Sequence, residues 1–242
     1  MQQVELTTKT PVMAARGAVP PACVGLILDG NRRWAKSRGL PSLEGHRVGL
    51  LETYKKIAKH ARERGIRHLV AYMFSTENWN RSEEEVAYLM DLFREAGKKH
   101  LRELFEENVR IRFIGERGRF SPDLQELMTQ IEADSANKNG MTAWICLSYG
   151  GRAEIVDGAR KLARNGQEVT EESLGAALWS AEMPDADIII RTSGECRLSN
   201  FLTWRGVYSE LFFTDTYWPD FSESEFDAIL AEYALRERRH GK

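Results

Sequence analysis

The chain has 242 residues, enough for one large domain or two small ones. Its 34 basic and 36 acidic residues give a formal net charge of −2, so the overall charge does not indicate a nucleic-acid-binding protein. The cysteines Cys23, Cys146 and Cys196 show no CxxC spacing, which argues against a disulfide framework or a zinc site and favours a reducing cytoplasm. No apolar run is long enough for a membrane-spanning helix.

The predicted strands begin after a polar N-terminal segment. Residues 1–20 lack the apolar core of a signal peptide and are interpreted as a flexible arm, followed by one domain over residues 21–242. Short apolar runs predict six strands, at residues 23–28, 66–74, 108–114, 142–148, 186–191 and 211–214. Several of these runs are almost continuously apolar, which is typical of strands covered on both faces.

Amphipathic segments lie between the strands and predict helices. They cover residues 44–64, 82–107, 121–136, 152–164 and 222–238. Ser82 and Glu85 match a capping box at the start of the second helix. The alternation of strands and helices predicts a single α/β domain with a central, mostly parallel six-stranded sheet surrounded by helices.

Polar segments follow four of the predicted strands. They are DGNRRW (29–34), STENWNR (75–81), YGGR (149–152) and TSGECRLSN (192–200). Ligands of open α/β sheets bind beyond the carboxyl ends of the strands. Because all four segments are rich in Gly, Asn, Ser or Arg, we expect a site for an anionic ligand at this edge.

The charged residues of these segments each have two interpretations. Asp29 belongs to an Asp-Gly turn pair, but a carboxylate after a buried strand also suits Mg²⁺, which binds one or two carboxylates plus substrate phosphates. Arg33, Arg191 and Arg197 form either surface salt bridges or forks that match phosphate oxygens. Glu210 lies between apolar residues and is either a salt-bridged edge residue or a second metal-directed carboxylate.

Other motifs narrow the reaction class. His46 and Trp79 have ordinary alternatives, as a helix-start histidine and a core tryptophan. The sequence contains no GxGxxG, GxxxxGK[ST], GxSxG or HExxH pattern. A dinucleotide fingerprint, a Walker loop, an esterase elbow and a zinc-protease signature are therefore not indicated.

Taken in order, six segments of the chain resemble one enzyme family. They are DGNRRWA (29–35), GHRVG (45–49), FSTENWNR (74–81), YGGRAEI (149–155), IRTSGECRLSNFLTW (190–204) and ELFFTDTYWPDF (210–221). The set resembles the cis-prenyltransferase family, and most closely its bacterial undecaprenyl diphosphate synthases. The resemblance extends from about residue 20 to the end of the chain.

The resemblance implies a fold with a hydrophobic tunnel and a Mg²⁺-dependent homodimer. It implies condensation of isopentenyl diphosphate with an allylic diphosphate, farnesyl diphosphate in the main interpretation, to give a long-chain Z-polyprenyl diphosphate such as undecaprenyl diphosphate. The alternatives are a short-chain or branched (head-to-middle) Z-prenyl diphosphate synthase and a non-catalytic scaffold subunit. A cytoplasmic location fits, and contact with the membrane surface is left open because the product is apolar.

Individual roles also come from the resemblance. Asp29 matches the aspartate that handles Mg²⁺ and the allylic diphosphate, and Glu210 matches a metal-associated glutamate that belongs near the site in the dimer. Asn78 or a substrate phosphate assists proton loss. The residues matching the allylic diphosphate loop are Gly30, Asn31, Arg33, Trp34 and His46. Those matching the closing segment and the isopentenyl diphosphate site are Phe74, Ser75, Glu77, Asn78, Trp79, Arg81, Arg191, Arg197 and Ser199.

The chain departs from the family pattern at several positions. Cys23, Arg32, Ser42 and Ser148 stand where histidine, glycine, arginine and asparagine are usual, and the stretch between Leu162 and Met183 is shorter. Without an arginine at position 42, affinity for the allylic diphosphate is expected to rest on Arg33 and His46. These departures leave chain length and allylic primer open.

Overall fold

Residues 20–236 are described by a computed structural model; the predicted arm, apart from residue 20, lies outside them. Six strands occur in the described region, each within two residues of its predicted bounds. They are β1 (Cys23–Ile27), β2 (His68–Ser75), β3 (Val109–Ile114), β4 (Met141–Tyr149), β5 (Ile188–Arg191) and β6 (Glu210–Phe213). Strong, short apolar runs therefore sufficed to locate the strands.

The strands form one sheet in the order β3-β4-β2-β1-β5-β6, and every neighbouring pair is parallel. Ile27 at the end of β1 pairs with Tyr72 of β2 on one side and with Arg191 of β5 on the other. The chain thus leaves β1 towards β2 and returns to the opposite side of β1 with β5. This reversal of strand order is the usual place for a ligand in such sheets.

Helices cover both faces of the sheet. They are α1 (Asn31–Ser37), α2 (Glu44–Val48), α3 (Tyr54–Glu63), α4 (Glu83–Glu95), α5 (Leu101–Glu106), α6 (Pro122–Asp134), α7 (Gly151–Arg164), α8 (Glu171–Ala177) and α9 (Glu223–Leu235). The predicted helices at 44–64 and 82–107 are each interrupted by a π turn, at Gly49–Thr53 and Ala96–His100. The last residues of the predicted helix at 222–238 lie outside the described region.

Two helices were not predicted. α1 occupies most of the DGNRRW segment, which was interpreted as a loop; Gly30 precedes it with a φ of 98°. α8 begins at a capping box in which Thr170 pairs with Ser173. Both helices have only seven residues, too few to show a clear helical period.

Apolar side chains are buried on both faces of the sheet. Val24 and Leu26 of β1 contribute to the main core, whereas Cys23 and Ile27 contribute to a second cluster. Successive strand residues point to opposite faces, so the two clusters lie on opposite sides of the sheet. In the described part of the chain, no helix is both long and apolar enough to cross a membrane.

Candidate functional site

A cavity of about 880 Å³ opens at the carboxyl ends of β1, β2 and β5. Most of the predicted site residues line it: Asp29, Gly30, Asn31, Arg33, His46, Ser75, Glu77, Asn78, Arg81, Arg191 and Ser199. Its other end is apolar and is lined by Leu50, Met73, Leu89, Leu92 and Phe93. One cavity therefore joins a charged region to an apolar region, as the site for an amphipathic ligand requires.

Asp29 lies on the tight turn that follows β1. Its Oδ1 accepts the backbone N–H of Gly30 at 2.7 Å, and its Oδ2 accepts Nη2 of Arg191 at 2.8 Å. At Gly30 a Cβ atom would lie 2.7 Å from the ring of Tyr217, and φ is 98°, so the turn requires glycine. The turn interpretation of Asp29 is confirmed: a glycine-dependent turn directs its carboxylate at a buried arginine. Mg²⁺ binding by Asp29 stays a prediction.

Arg191 is held from several sides at the end of β5. Its side chain is 4% exposed. Nη1 donates to the carbonyl of Arg197 at 2.5 Å and to Oγ of Ser199 at 2.7 Å. Its buried Nε has no hydrogen-bond partner within residues 20–236. The bonds of its two Nη atoms fix the guanidinium, so an incoming oxyanion would find it already oriented.

The carboxyl of Asp29 is kept ionised. Burial raises the pKa of Asp29, but the hydrogen bonds from Arg191 and Gly30 and the charges of Arg191 and Arg33 outweigh it, so the pKa lies below its ordinary value. Among residues 20–236, no group of three or more His, Cys, Asp or Glu side chains could hold a metal ion. A cation here would depend on Asp29 together with ligand oxygens.

A second basic group surrounds Glu85, a buried carboxylate in the first turn of α4. Its Oε1 accepts Nη1 of Arg81 at 2.9 Å and lies 3.7 Å from Nε2 of His46, while its Oε2 lies 3.6 Å from Nη1 of Arg32. Burial, then the charge of Arg81, lowers the pKa of His46 to about 4. At neutral pH, Arg32 and Arg81 are therefore the cations of this group, and His46 is a neutral polar ligand.

The segment predicted to close over substrate includes a 3-10 turn at Thr76–Asn80. Ser75 caps this turn: its backbone N–H donates to Oδ1 of Asn78 at 3.0 Å. Glu77 accepts Nδ2 of Asn200 at 2.9 Å. Asn78 is therefore engaged in holding the turn, and Glu77 ties it to the loop after β5.

Three predicted aromatic residues lie outside the cavity lining. Phe74 and Trp79 pack edge to face with ring centroids 4.9 Å apart, and Nε1 of Trp79 donates to Oγ of Ser148 at 2.9 Å. Nε1 of Trp34 donates to Oδ1 of Asp220 at 2.8 Å. In this conformation, these rings contribute by packing behind the cavity.

Arg197 and Glu210 also lie outside the lining. Arg197 gives its carbonyl to Arg191, and its guanidinium pairs with Glu195. Glu210 lies at the amino end of β6, opposite Ile188, and its Oε2 accepts Nη1 of Arg236 at 2.8 Å. Because Asp29 follows the carboxyl end of β1, a single subunit does not bring Glu210 to it. Association of Glu210 with a metal across a dimer stays a prediction.

Several residues of the site were not predicted from the sequence. Arg32, Tyr72 and Asn200 line the cavity, and no role was predicted for them. The hydroxyl of Tyr72 donates to the carbonyl of Ser199 at 3.2 Å. Ser199, Asn200 and Leu202 have φ values of 49°, 67° and 46°. Non-glycine residues rarely adopt such values, and they concentrate at functional loops. The density of polar residues in RLSN was the only sequence signal for this strain.

The apolar end of the cavity is nearly filled by side chains. Leu50, Met73 and Phe93 also line a second, separate space of only about 30 Å³. This space is lined by Ala96, Gly97, Leu101, Phe113, Leu124, Leu127, Met128, Ile131, Ile145 and Leu147. The lining is entirely apolar, so the end of the cavity suits a hydrocarbon chain and offers nothing to a polar one.

Comparison with known proteins gives a consistent result. The family described as "putative undecaprenyl diphosphate synthase" matches residues 27–241. The chain is similar to an isoprenyl transferase of Neisseria gonorrhoeae, with 44% identity over 92% of this chain and 90% of the relative. It is also similar to an isoprenyl transferase of Rhizobium meliloti, with 45% identity over 91% of this chain and 92% of the relative.

Two solved structures are also similar to this chain. A lavandulyl diphosphate synthase from Lavandula x intermedia, in complex with dimethylallyl diphosphate, is 34% identical with a TM-score of 0.88. A "probable undecaprenyl diphosphate synthase" from Campylobacter jejuni is 30% identical with a TM-score of 0.79. Each covers 92% of this chain and 99% of its own.

Proposed function

Because the chain belongs to the undecaprenyl diphosphate synthase family of prenyl transferases, we propose that it condenses isopentenyl diphosphate with an allylic diphosphate in a Mg²⁺-dependent reaction. Farnesyl diphosphate is the proposed primer, and a long-chain Z-polyprenyl diphosphate such as undecaprenyl diphosphate is the proposed product. One observation carries the proposal: a single cavity joins the arginines around Asp29 to an end lined by apolar side chains.

The polar end offers two places for diphosphates. One is the buried fork of Arg191 with Ser199, which suits isopentenyl diphosphate. The other is the start of α1, where the backbone of Gly30 and Asn31 and the guanidinium of Arg33 face the cavity. Asp29 lies between them. It accepts a hydrogen bond from Arg191, and Oδ1 of Asp29 lies 3.3 Å from Nη2 of Arg33. Two diphosphates bound this way would have their charged groups side by side.

Breaking the allylic C–O bond places negative charge on the leaving diphosphate. Donors fixed beforehand in a partly buried site stabilise such charge without reorganising. Arg33 and the amides at the start of α1 would act on this leaving group, and Arg191 would orient the isopentenyl diphosphate whose double bond attacks. The proton lost afterwards can pass to a diphosphate oxygen or be assisted by Asn78.

The residues present fit Mg²⁺. This ion commonly uses one or two carboxylates and fills its other positions with substrate phosphate oxygens and water. Asp29 is ionised, lines the cavity and contacts both Arg191 and Arg33. When bound, the ion would supply charge neutralisation at the leaving diphosphate.

The proposed homodimer would bury the exposed edge of the sheet. β6 is the edge strand, and Leu211 and Phe213 on it are 37% and 39% exposed. Val207 and Tyr208 on the preceding segment are 65% and 74% exposed. Exposed apolar residues at a strand edge commonly mark an interface. The proposed location is the cytoplasm, with release of the apolar product at a membrane surface.

A second candidate keeps the fold and changes the product. It is a short-chain or branched Z-prenyl diphosphate synthase, and the small size of the apolar end supports it. The similarity to a lavandulyl diphosphate synthase is compatible with this candidate. Ser42, which lines the cavity where many family members have arginine, adds a difference at the allylic side.

Product analysis separates these candidates. The purified protein is incubated with Mg²⁺, radiolabelled isopentenyl diphosphate and farnesyl, geranyl or dimethylallyl diphosphate, and the chain length of the dephosphorylated product is measured. Long Z-polyprenols from farnesyl diphosphate support the main proposal. Short or branched products support the second candidate, and no incorporation with any primer contradicts both.

A further inference from the structure

The segment YWPDF (217–221) has no role in the proposed chemistry, yet it contacts both the Asp29 turn and the π turn at Gly49–Thr53. Trp218–Asp220 forms a 3-10 turn, and Trp218 itself lines the cavity. The backbone N–H of Trp218 donates to the carbonyl of Asp29 at 3.0 Å. Its indole N–H donates to the carbonyl of Gly49 at 2.8 Å. One residue therefore holds the diphosphate turn through its backbone and a second element through its side chain.

That second element is the π turn at Gly49–Thr53. In a regular α-helix the Gly49 carbonyl would accept the N–H of Thr53, but here it accepts the N–H of Tyr54 and the indole of Trp218. At the other end of the π turn, Oγ1 of Thr53 donates to the carbonyl of Pro219 at 3.1 Å. The 3-10 turn thus fixes both ends of the π turn.

Close packing leaves this arrangement little freedom. Trp218 is 1% exposed and stacks on Phe221, with ring centroids 5.7 Å apart. A Cβ atom at position 49 would lie 2.7 Å from Cδ1 of Trp218 and 2.3 Å from Oδ1 of Asn31. Glycine at 49 is therefore needed for the indole, the π turn and the start of α1 to meet.

The π turn also forms the wall where the cavity changes from polar to apolar. Leu50, its second residue, lines both the main cavity and the small, separate apolar space. Across this wall, Leu51 packs with Leu92 and Ala96 in a cluster separate from the main core. Leu50 packs against this cluster and against the main core, while the bonds to the 3-10 turn fix both ends of the π turn relative to the Asp29 turn.

We propose that Trp218 is a positioning residue. It holds the wall at Leu50 at a fixed distance from the Asp29 turn and so helps to set product length. The proposal rests on the proposed prenyl transfer for its effect on products. The hydrogen bond on which it depends can be tested without turnover.

The test variant is Trp218→Phe, which keeps an aromatic ring and the backbone bond to Asp29 but removes the indole donor. Loss of one hydrogen bond corresponds to about tenfold in a local opening equilibrium, so the amide of Tyr54 should exchange hydrogen about tenfold faster. In the elongation assay, the variant should give a broader range of product lengths at a primer KM close to that of the unchanged protein.

Trp144→Phe is the matched control. Trp144 is 4% exposed, and its indole donates to Nδ1 of His68 at 3.2 Å in the cluster on the other face of the sheet. This control should change neither Tyr54 exchange nor the product range. Unchanged exchange in folded Trp218→Phe overturns the proposal, and so does faster exchange with an unchanged product range. If the unchanged protein transfers no prenyl group, prenyl transfer itself fails and the role in product length fails with it, while exchange still reports the bond.

Discussion

The two ends of the cavity are stabilised in different ways. At the polar end, the single side chain of Arg191 donates hydrogen bonds to Asp29, Arg197 and Ser199. The turn at Gly30 admits only glycine. At the apolar end, the lining consists of aliphatic and aromatic side chains around about 30 Å³, and no directional bond fixes their positions. The first end is fixed by hydrogen bonds and the second by packing alone.

This difference matches two different tasks of the proposed reaction. Charge stabilisation requires donors that stay in place, because reorganising them during the reaction would raise the barrier. A growing hydrocarbon chain requires apolar surface that can rearrange, since its length changes with each addition. The wall between the ends, at Leu50, is the place where the fixed part could limit the adaptable part.

The largest expected effect comes from the fixed end. Asp29→Asn keeps a hydrogen-bond acceptor for Arg191 but removes the charge, so folding should be retained and kcat should fall by about 10²–10³-fold. Asp185→Asn is the control, because Asp185 is 64% exposed and pairs only at the surface with Arg205. Steady-state kinetics with circular dichroism checks this; turnover of folded Asp29→Asn close to that of the control would contradict the metal and diphosphate role.

His46 tests how strongly the polar end is desolvated. Its pKa falls from 6.5 unfolded to about 4 folded, so between these values the unfolded chain binds a proton that the folded protein does not. As the pH falls from 6.5 to 4, the free energy of unfolding should therefore decrease by about 3 kcal/mol because of His46. Above pH 6.5, His46 should not change it. Urea unfolding of His46→Gln should lack this loss. If the free energy of unfolding changed equally with pH in the two proteins, His46 would have an ordinary pKa in the folded state.

Arg32 tests whether the arginine missing at position 42 is replaced from another element. Its side chain is 59% exposed and weakly paired with Glu85, so its fork is free to bind a phosphate. Arg32→Gln should raise KM for the allylic diphosphate about tenfold and leave KM for isopentenyl diphosphate unchanged. Arg47→Gln removes the same charge from a residue 44% exposed outside the cavity. If both variants had the same KM for the allylic diphosphate, Arg32 would not bind this substrate.

Gly97 tests the adaptable end and should give the smallest effect. A Cβ atom there would lie 2.8 Å from Cδ2 of Leu127, the end of a flexible side chain. Gly97→Ala should shift the products towards shorter chains without changing primer KM, because only the apolar space becomes smaller. Gly175→Ala, where the nearest atom lies 3.6 Å away, is the control. If Gly97→Ala left the range of product lengths unchanged, the prenyl chain would not occupy this apolar space.

The sheet was predictable because its strands are nearly continuous apolar runs between turn residues. The helix at 44–64 was also predicted, but its π turn was not, since the bond from Trp218 to Gly49 joins residues far apart in sequence. α1 was missed for a related reason: its DGNRRW sequence has the composition of a loop, and the helix depends on packing of Gly45 and Gly49 against Asn31.

The site was predictable in membership and less so in arrangement. Most of the residues singled out line one cavity, because the ends of parallel strands meet at one edge. The neutral state of His46 could not be predicted, since it depends on burial beside Arg81 and Glu85. Glu210 directly precedes the predicted strand at 211–214, and the parallel pairing of β6 with β5 puts it at the amino end, away from Asp29.

Photoaffinity labelling tests most directly whether one cavity binds both ends of the substrate. A farnesyl diphosphate analogue with a photoreactive group at the far end of its chain is bound with Mg²⁺, irradiated and located by mass spectrometry, with excess inorganic pyrophosphate as competitor. We expect labels at Leu92, Phe93, Ala96, Leu127 or Met128 that the competitor removes. Labels on the other face of the sheet, at Trp144 or Phe201, or labels that pyrophosphate does not reduce, would contradict a single continuous site.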